Sequence, residues 1–393
     1  MKINIEKLDM DEINPKIKHL EKNSIIEMIS KYYEGVSVNQ LKKEYDINIT
    51  ASQFVNLFPK KIAEEKCEYC DANLIEDWKA KYSYSFQDKN PYCPICYHEN
   101  HDKCKCNPCE KSRKDALIRE ENRKKFIIQE HYSERNFEKK LEKDLSLEDK
   151  LYLSVLIRGG LDENIGNIMP VYTLDNKLTP TSNLTIELIK TLTGRGLIVP
   201  QSNSSIGAFV DDETFPKTYY IDRVIYRINI TPMDSNYHNM IQRLMYPSQE
   251  DFEIDKNFCF NMWKKIALNE SIEYLLYSLD KVGFDFRPGE KTNKVFENLL
   301  EHYSVSQIYS IIYRAVANST KLYQEKKMPK KRAANTVITF CESNGERAIA
   351  EGWKLSKYRR DYNLPETLIS QVFFTSILKI AYIGFEETPT PNI

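Results

Sequence analysis

Hydrophobic residues recur every three or four positions along most of this chain, and this spacing predicts a mainly helical protein. Near the N-terminus, apolar residues between positions 24 and 33 lie on one side of a helix that ends at Gly35. Two S/T-x-x-Q patterns follow, Ser37 to Gln40 and Thr50 to Gln53, and each predicts the capped start of a short helix. Residues 1–66 are therefore predicted to hold three helices.

The last two of these helices, with the short turn at residues 46–48, resemble the helix-turn-helix modules of resolvase-type and transposase-type proteins. If such a module reads DNA, polar side chains near the start of its second helix reach the bases, and Gln or Asn can pair with adenine through two hydrogen bonds. The candidates are Ser52, Gln53 and Asn56. A structural hairpin or a protein-binding surface is the alternative, because residues 1–66 carry 11 Lys and 11 Asp or Glu.

The middle of the chain mixes helical and strand patterns. A capping pattern at Ser146 begins one helix, a second helix ends at Gly194, and residues 197–199 form a strand. Residues 220–230 alternate between apolar and polar positions and predict another strand. This order of elements resembles a winged helix, and it predicts a winged-helix-like domain over residues 146–250.

The last part of the chain, residues 251–393, has helical periodicity and predicts an all-α C-terminal domain. Its most apolar stretch, residues 368–385, contains polar and charged residues, so we expect a buried helix rather than a membrane span. Residues 111–150 include 22 charged residues among 40, which predicts a solvated helical connector over residues 111–145.

Seven of the nine cysteines lie between residues 67 and 109, with the spacing of metal ligands. Two C-x-x-C pairs, Cys67 with Cys70 and Cys93 with Cys96, have the spacing of a four-thiolate zinc ribbon. A second site would combine Cys104, Cys106 and Cys109 with either His98 or His101, and exchange of ligands between the two sites stays open. We expect two Zn²⁺ ions, with a single ion as the alternative. Both sites would be structural, because thiolate-rich closed sites leave no open coordination position.

Basic and aromatic residues alternate between the two cysteine pairs. Such residues suit phosphate contacts and base stacking, or they pack as strand residues against the preceding helices. The candidate phosphate contacts are Lys79 and Lys81, and the aromatic residues are Trp78, Tyr82, Tyr84 and Phe86.

A second basic segment lies in the C-terminal part, where residues 321–360 hold 11 Lys or Arg against four Glu. Pro329 marks a predicted helix start, and cations beside free backbone N–H groups favour phosphate binding. A solvated basic face is the alternative. The candidate residues are Lys326, Lys327, Lys330, Lys331, Arg332, Arg359 and Arg360.

No P-loop, dinucleotide-binding glycine motif or nucleophile elbow occurs in the sequence, and the zinc deaminase pattern is missing in the required order. A loop with Asp211, Asp212, Glu213 and Lys217 has the residue types of a metal-dependent nuclease, without the flanking strand. We therefore assign no catalytic residues and favour a non-enzymatic role.

The 393 residues carry a net charge of −1, so any nucleic-acid site must be local. Clustered thiolates indicate a reducing compartment, and the absence of an apolar segment in residues 1–7 predicts no signal peptide; we expect a cytoplasmic protein without a membrane partner. The predicted class is mainly α with small β parts, divided into a helix-turn-helix (1–66), a zinc ribbon (67–110), a charged connector (111–145), a winged-helix-like domain (146–250) and an all-helical domain (251–393).

Together these features resemble regulators and mobile-element accessory proteins that join a helix-turn-helix to a zinc ribbon. The resemblance implies binding of nucleic acid, DNA more than RNA, in a regulatory or genome-conflict role such as antiviral defence. The alternatives are a scaffold or sensor subunit that binds protein partners, and a metal-dependent nuclease component.

Overall fold

The computed structural model describes residues 3–81, 90–325 and 327–391. Helices account for 53% of the chain and strands for 7%, which confirms the prediction of a mainly α protein with small β parts. The chain divides into two compact units, Met1–Arg123 and Lys124–Ile393. The finer division into five domains stays a prediction.

The N-terminal unit begins with short 3₁₀ turns and then two α-helices, α1 (Lys22–Tyr33) and α2 (Val38–Glu44). The predicted capping box of α2 is present, because the Ser37 and Gln40 side chains each reach the backbone N–H of the other. Gly35, which ends α1, has a φ of 108°, a conformation that favours glycine.

The third predicted helix is a 3₁₀ helix, Ala51–Leu57, and not an α-helix. The prediction of a second capping box was wrong, because the Thr50 hydroxyl contacts the Ser52 hydroxyl and caps no backbone N–H. With three residues per turn, Phe54 and Leu57 point in one direction and are buried. Whether this segment is a helix-turn-helix stays a prediction.

An apolar cluster holds these three helices together. Trp78 packs at its edge, with its ring near Tyr33 and Phe58 and its indole N–H donating to the Pro59 carbonyl at 2.6 Å. The fully buried centre consists of Ile17, Ile25, Met28, Ile29, Leu41, Phe54 and Leu57.

A two-stranded antiparallel sheet follows, with β1 (Lys61–Lys66) paired to β2 (Asn73–Glu76). Isolated bridges continue the pairing from Ile75 to Tyr92 and from Tyr92 to Glu99. Beyond the cysteine region, α3 (Asn107–His131) covers much of the predicted charged connector and exposes most of its side chains. The boundary between the two units falls within this helix.

The first part of the C-terminal unit contains short strands before, between and after two helices. The capping box at Ser146 is present, with the Asp149 carboxylate accepting from the Ser146 backbone N–H at 3.0 Å. The elements are β3 (Lys140–Leu141), α4 (Leu147–Gly160), β4 (Asn167–Ile168), α5 (Ser182–Gly194), β5 (Ile198–Pro200), β6 (Tyr226–Ile228) and β7 (Ile230–Thr231). The sheet β4-β6-β5 has three strands, and β3 pairs in parallel with β7.

The single strand predicted over residues 220–230 was too long. Residues 221–224 form a turn, in which the Arg223 and Val224 N–H groups donate to the Tyr220 carbonyl. Strand pairing begins only at Tyr226, and Asn229 lies between two short strands, with its side-chain amide donating to the carbonyls of Glu138 and Gly196. The winged-helix resemblance stays a prediction.

The remainder of the chain is helical among its described residues, as predicted. A π-helical turn, Gln371–Ile377, interrupts the last apolar segment, which is largely buried as expected. None of the described helices is both long and apolar enough to cross a membrane. The helices are α6 (Tyr237–Met245), α7 (Gln249–Glu253), α8 (Lys256–Lys281), α9 (Glu290–Leu300), α10 (Val305–Gln324), α11 (Lys330–Ala350), α12 (Leu368–Ser370) and α13 (Ile383–Glu386).

One continuous apolar core runs through the C-terminal unit, from Ile128 to Phe385. Trp263, Tyr309 and Phe373 are among its fully buried aromatic residues. Cys259 and Cys341 are buried thiols within this core, as the helical patterns around them predict.

Candidate metal centre

The structure brings the cysteine region together as two separate groups of four ligands. In the first group, the ligand atoms of Cys67, Cys70, Cys93 and Cys96 all lie within 4.8 Å of one another. The Sγ atoms of Cys67 and Cys96 are 3.6 Å apart. Four thiolates around a zinc-sized ion lie about 3.8 Å from each other, given a metal–sulfur bond near 2.3 Å.

Both C-x-x-C pairs of the first group fold as the same tight turn. The Cys67 N–H donates to the Ala72 carbonyl, and the Asp71 N–H donates back to the Cys67 carbonyl. The Cys93 N–H and the His98 carbonyl form the equivalent bond, at 2.8 Å. The residues after the second cysteines, Asp71 and Tyr97, have φ values of 54° and 58°. The bridge between Ile75 and Tyr92 then holds the two turns side by side.

The second group joins His98 to Cys104, Cys106 and Cys109, and all four side chains are buried. The His98 Nδ1 atom lies 3.7 Å from the Cys106 sulfur and 3.2 Å from the Cys109 sulfur. A tetrahedral ion with one imidazole and three thiolates places nitrogen and sulfur about 3.5 Å apart. Both groups could therefore hold a metal ion, and their donors are compatible with two zinc-type sites.

The structure selects one of the two candidate histidines. His98 is in the second group, while His101 lies outside both groups and contacts the Glu99 carboxylate at 2.9 Å. The sequence did not decide between these two histidines, because each lies close enough to Cys104 along the chain to share a metal site with it. The turn after Cys93 decides between them, since it aims His98 inward and leaves His101 in the following loop.

Backbone hydrogen bonds favour the thiolate form of one cysteine in each group, Cys93 and Cys104, whereas the pKa values of Cys70, Cys96 and Cys106 are raised. Burial raises the pKa of the Cys104 thiol, but backbone N–H groups of Glu99 and Cys106 outweigh it and lower this pKa to about 6. In the first group, burial likewise raises the pKa of Cys93, and N–H groups of Cys96 and Ile95 lower it to about 7. Each group therefore contains one cysteine whose pKa is lowered toward or below neutral pH.

The second group has supporting residues that the sequence did not reveal. The Glu68 carboxylate lies 3.6 Å from His98 Nε2, on the ring nitrogen that faces away from the cysteines. A carboxylate in that place orients a ligating imidazole and raises its basicity. The Arg113 guanidinium, one turn inside α3, donates to the carbonyls of Asp102 and Cys104. No sequence motif identifies Glu68 or Arg113, because each side chain reaches its partner only in the folded chain.

The three candidate base-reading residues, Ser52, Gln53 and Asn56, are all exposed on the 3₁₀ helix. Gln53 and Asn56 are three residues apart and so share one face of this helix. The apolar residues Phe54 and Leu57 occupy another face and pack into the core. The sequence therefore placed these polar side chains on the surface correctly, although it assigned the wrong helix type.

The two candidate lysines of the spacer have different environments. Lys79 is exposed, and its carbonyl accepts from the Tyr33 hydroxyl. The Lys81 ammonium donates to the carbonyls of Tyr32 and Val36 and lies 5.0 Å from the Tyr32 ring. The Lys81 ammonium therefore binds carbonyl groups at the C-terminal end of α1, whereas the sequence predicted that it contacts a phosphate. Tyr82, Tyr84 and Phe86 lie outside the described residues.

The C-terminal basic residues separate into an exposed set and a buried one. Lys330, Lys331 and Arg332 are exposed in the first turn of α11, and Arg359 is exposed as well. Lys327 pairs with Glu325 at 2.5 Å, and Lys326 lies outside the described residues.

The Arg360 guanidinium has partners within the fold, so its predicted phosphate contact would have to compete with them. It pairs at 2.8 Å with the fully buried Glu270, and its guanidinium lies 4.3 Å from the Phe385 ring centre. Its charge therefore neutralises a buried carboxylate within the core.

The acidic loop considered for nuclease chemistry does not assemble a ligand group among the described residues. Asp211 pairs with Lys124 at 2.6 Å. The Asp212 carboxylate accepts from the backbone N–H and the hydroxyl of Thr214, both at 2.7 Å. These contacts are those of a turn held by its own side chains.

In comparisons with protein-family models, with curated proteins and with solved structures, the chain gave no match. The functional argument therefore rests on the residues and their geometry.

Proposed function

We propose that this chain is a non-enzymatic, zinc-stabilised nucleic-acid-binding protein that contacts DNA through its N-terminal unit. The observation that supports this most is the pair of Cys/His groups, each with four mutually close donors. Closed sites of this donor type stabilise small domains that present a surface to a partner.

Zinc is the metal that suits these donors. Cys₄ and Cys₃His are its usual structural ligand sets, and thiolate-rich sites disfavour magnesium and calcium, which prefer oxygen. The neighbouring residues form no core of their own, since two of the three buried clusters in this unit are built around the cysteines. The metals would therefore supply the cohesion that apolar burial does not.

The surface that we assign to DNA is the exposed face of the 3₁₀ helix. Gln53 and Asn56 stand on a rigid segment, because Phe54 and Leu57 anchor it from behind. Side-chain amides can donate to and accept from one adenine edge at once. DNA is favoured over RNA because the adenine edge is accessible in the wide major groove of B-form DNA.

Phosphate contacts would come from the last turn of α2, which precedes the 3₁₀ helix. Lys42 and Lys43 lie there, and no carboxylate of the described residues is within ion-pair distance of either. Their positive charge is free to meet a phosphate, and binding should weaken as salt rises.

The test is duplex DNA binding by the zinc-loaded full chain, measured by fluorescence anisotropy at several salt concentrations, with the zinc content determined on the same sample. The double variant Gln53→Ala with Asn56→Ala should lose at least about thirtyfold in affinity for its preferred sequence, since each of the two bidentate base contacts is worth roughly 1–3 kcal/mol. Asn122→Ala is the matched control, because Asn122 is an exposed amide on α3 in the same unit. If the double variant and the control bound duplex DNA with equal affinity, the exposed face of the 3₁₀ helix would be excluded as the DNA-binding surface.

A protein partner is the second candidate, and exposed apolar residues at the cysteine turns favour it. Ile95 and Tyr97 expose 67% and 69% of their surface beside the first ligand group. Exposed apolar residues on a rigid turn are typical of contact sites for other proteins. A nuclease-treated pull-down that retains one defined protein, and loses it with Ile95→Asp, would support this candidate over the first.

A further inference from the structure

The C-terminal unit contains a groove with a volume of about 440 Å³ between α8 and α10. Pockets of this size are in the range that holds a small ligand or part of a larger one. The groove contains no residue of the metal centre, and none of the surfaces discussed above includes it. Its chemistry is therefore independent of the N-terminal unit.

Tyrosine rings dominate the walls of the groove. Tyr274 and Tyr277 come from α8, and Tyr313 comes from α10, where it exposes 57% of its surface. Small side chains, Ser278, Ala317 and Thr320 among them, also line it. Residues three, four and seven positions apart on a helix share one face, so these tyrosines and small residues form one stripe on each helix. The result is a slot with aromatic residues on both helices.

The segment after α11 extends the aromatic surface and fixes its geometry. The Tyr358 ring lies 5.9 Å from the Tyr313 ring. The Asn363 side chain donates to the Tyr277 hydroxyl at 2.7 Å, which holds that ring in place. A pre-positioned ring loses little conformational entropy when a planar ligand stacks on it.

Positive charge lies at the rim of the groove. Lys281 and Lys321 both line it, and they are offset by only weak pairs with Asp361 and Glu325, each at 4.0 Å. Lys281 also lies over the Tyr277 ring, 4.6 Å from its centre.

The basic first turn of α11 lies at the same end of the bundle. An added Cβ at Gly283, two residues beyond Lys281, would stand 3.7 Å from Lys330 Nζ. Among the described residues, Lys330, Lys331 and Arg332 make no ion pair with a carboxylate. The cations therefore continue from the rim of the slot onto the adjoining surface.

We propose that this groove binds single-stranded nucleic acid, with unstacked bases against Tyr277 and Tyr313 and the backbone phosphates along Lys281, Lys321 and the first turn of α11. Aromatic platforms beside a track of cations are the physical requirement for binding single strands without sequence preference. A duplex is excluded as the occupant, because its bases are stacked internally and present no free faces to the tyrosines.

This inference goes beyond the proposed function, because it concerns a different unit, a different surface and a different form of nucleic acid. Either can fail while the other holds. Oligo(dT) binding that survives Gln53→Ala with Asn56→Ala separates the groove from the duplex-binding surface.

The test is the affinity of the full chain for fluorescein-labelled oligo(dT), measured by anisotropy at several salt concentrations. Tyr313→Ala should weaken binding about tenfold, since stacking of one base contributes roughly 1–3 kcal/mol. Tyr313→Phe keeps the ring and should bind like the wild type. Tyr382→Ala is the matched control, because Tyr382 is 70% exposed in the same unit and does not line the groove.

The charge contribution has its own readout. Lys321→Ala should reduce the slope of log affinity against log salt by about 0.7, the value for one phosphate contact with a single strand. Circular dichroism of each variant checks that it is folded. The Lys321 side chain is 75% exposed, so Lys321→Ala is a second variant that does not disturb packing.

Two results would overturn the proposal: no oligo(dT) binding by the wild type, or an affinity of Tyr313→Ala within twofold of the Tyr382→Ala control. Duplex DNA that competes for the groove as well as oligo(dT) does would also refute it. A parallel titration with oligo(U) distinguishes single-stranded DNA from single-stranded RNA as the ligand. Tighter binding of one polymer identifies the kind of strand that the groove prefers. Equal affinities indicate that the groove recognises only the bases and the phosphates.

Discussion

The two units of this protein hold their chains together in different ways. In the C-terminal unit, one apolar cluster extends from Ile128 to Phe385 and includes buried residues of nearly every helix. In the N-terminal unit, burial is divided among an apolar cluster around Phe54 and two small clusters made largely of cysteines. A segment too short to bury enough apolar surface can still fold when metal–thiolate bonds replace a core. This difference predicts that the two units fail under different conditions.

Removal of metal should have the largest effect, and only in the N-terminal unit. Structural zinc contributes roughly 10–16 kcal/mol to the folding of small zinc domains at neutral pH. A strong chelator should therefore abolish the protection of backbone N–H groups such as those of Tyr92 and Cys93, which are hydrogen-bonded in the cysteine region. Hydrogen exchange followed by mass spectrometry measures this, and residues 256–281 in α8 should keep their protection.

A pair of cysteine variants sharpens the same point. Cys93→Ser removes one ligand of the first group and should reduce bound zinc from two ions to one per chain. Cys341→Ser changes a buried thiol that belongs to neither group and should leave the zinc content at two. Equal zinc content in both variants would contradict the assignment of the first group.

A cavity in the large core should have the next largest effect, confined to the C-terminal unit. Phe373→Ala removes a fully buried ring and should lower the free energy of unfolding by about 3–5 kcal/mol. Phe126→Ala is the control, since this ring is 62% exposed. Urea denaturation followed by circular dichroism gives the values, and zinc content should be unchanged. A loss of less than 1 kcal/mol would mean that this core tolerates a missing ring.

A smaller effect is expected from an ion pair at the start of the C-terminal unit. Arg243 donates twice to the buried Glu142 carboxylate, at 2.7 and 2.8 Å. These bonds, opposed by burial and assisted by the Met233 N–H, lower the pKa of Glu142 below its ordinary value of 4.5. Glu142→Gln should reduce the free energy of unfolding by about 2 kcal/mol at neutral pH.

The sign of the pH dependence follows from that lowered pKa. Glu142 stabilises the folded chain fully above its unfolded pKa, near 4.5, and this contribution disappears as pH falls through the lower folded pKa. The difference between wild type and Glu142→Gln should therefore shrink on acidification. Glu163→Gln, at an exposed position, should show no such difference at any pH. If the difference in unfolding free energy between wild type and Glu142→Gln stayed constant down to low pH, Glu142 would stabilise the fold through the shape of its side chain and not through its charge.

Local patterns succeeded where a single turn or helix end contains all the information. The capping boxes at Ser37 and Ser146 formed as predicted, because both partners lie within four residues of each other. Thr50 has the same pattern, yet its segment is a 3₁₀ helix of the same length as α2, and its side chain caps no backbone N–H. Spacing also led to the grouping of the first four cysteines, although only the structure excluded an exchange of ligands between the two groups.

Sequence patterns did not reveal contacts in which a side chain's partner lies far away along the chain. The sequence around Arg360 predicts a surface cation, but Arg360 forms an ion pair with the buried Glu270, which lies 90 residues earlier in the chain. Lys81 reads as a phosphate contact, but the carbonyls at the end of α1 accept from it. The aromatic slot between α8 and α10 has no sequence signature either, because its walls come from two helices that only packing brings together.

For this chain, residue order alone determined the helical class, the two capped helix starts and the metal-ligand character of residues 67–109, because each depends on contacts within a few residues or on side-chain chemistry. Only the tertiary structure decided that His98 rather than His101 completes the second group, which cations stay exposed, and where tyrosines converge. Those outcomes depend on which distant segments pack together, and burial and long-range pairing set them.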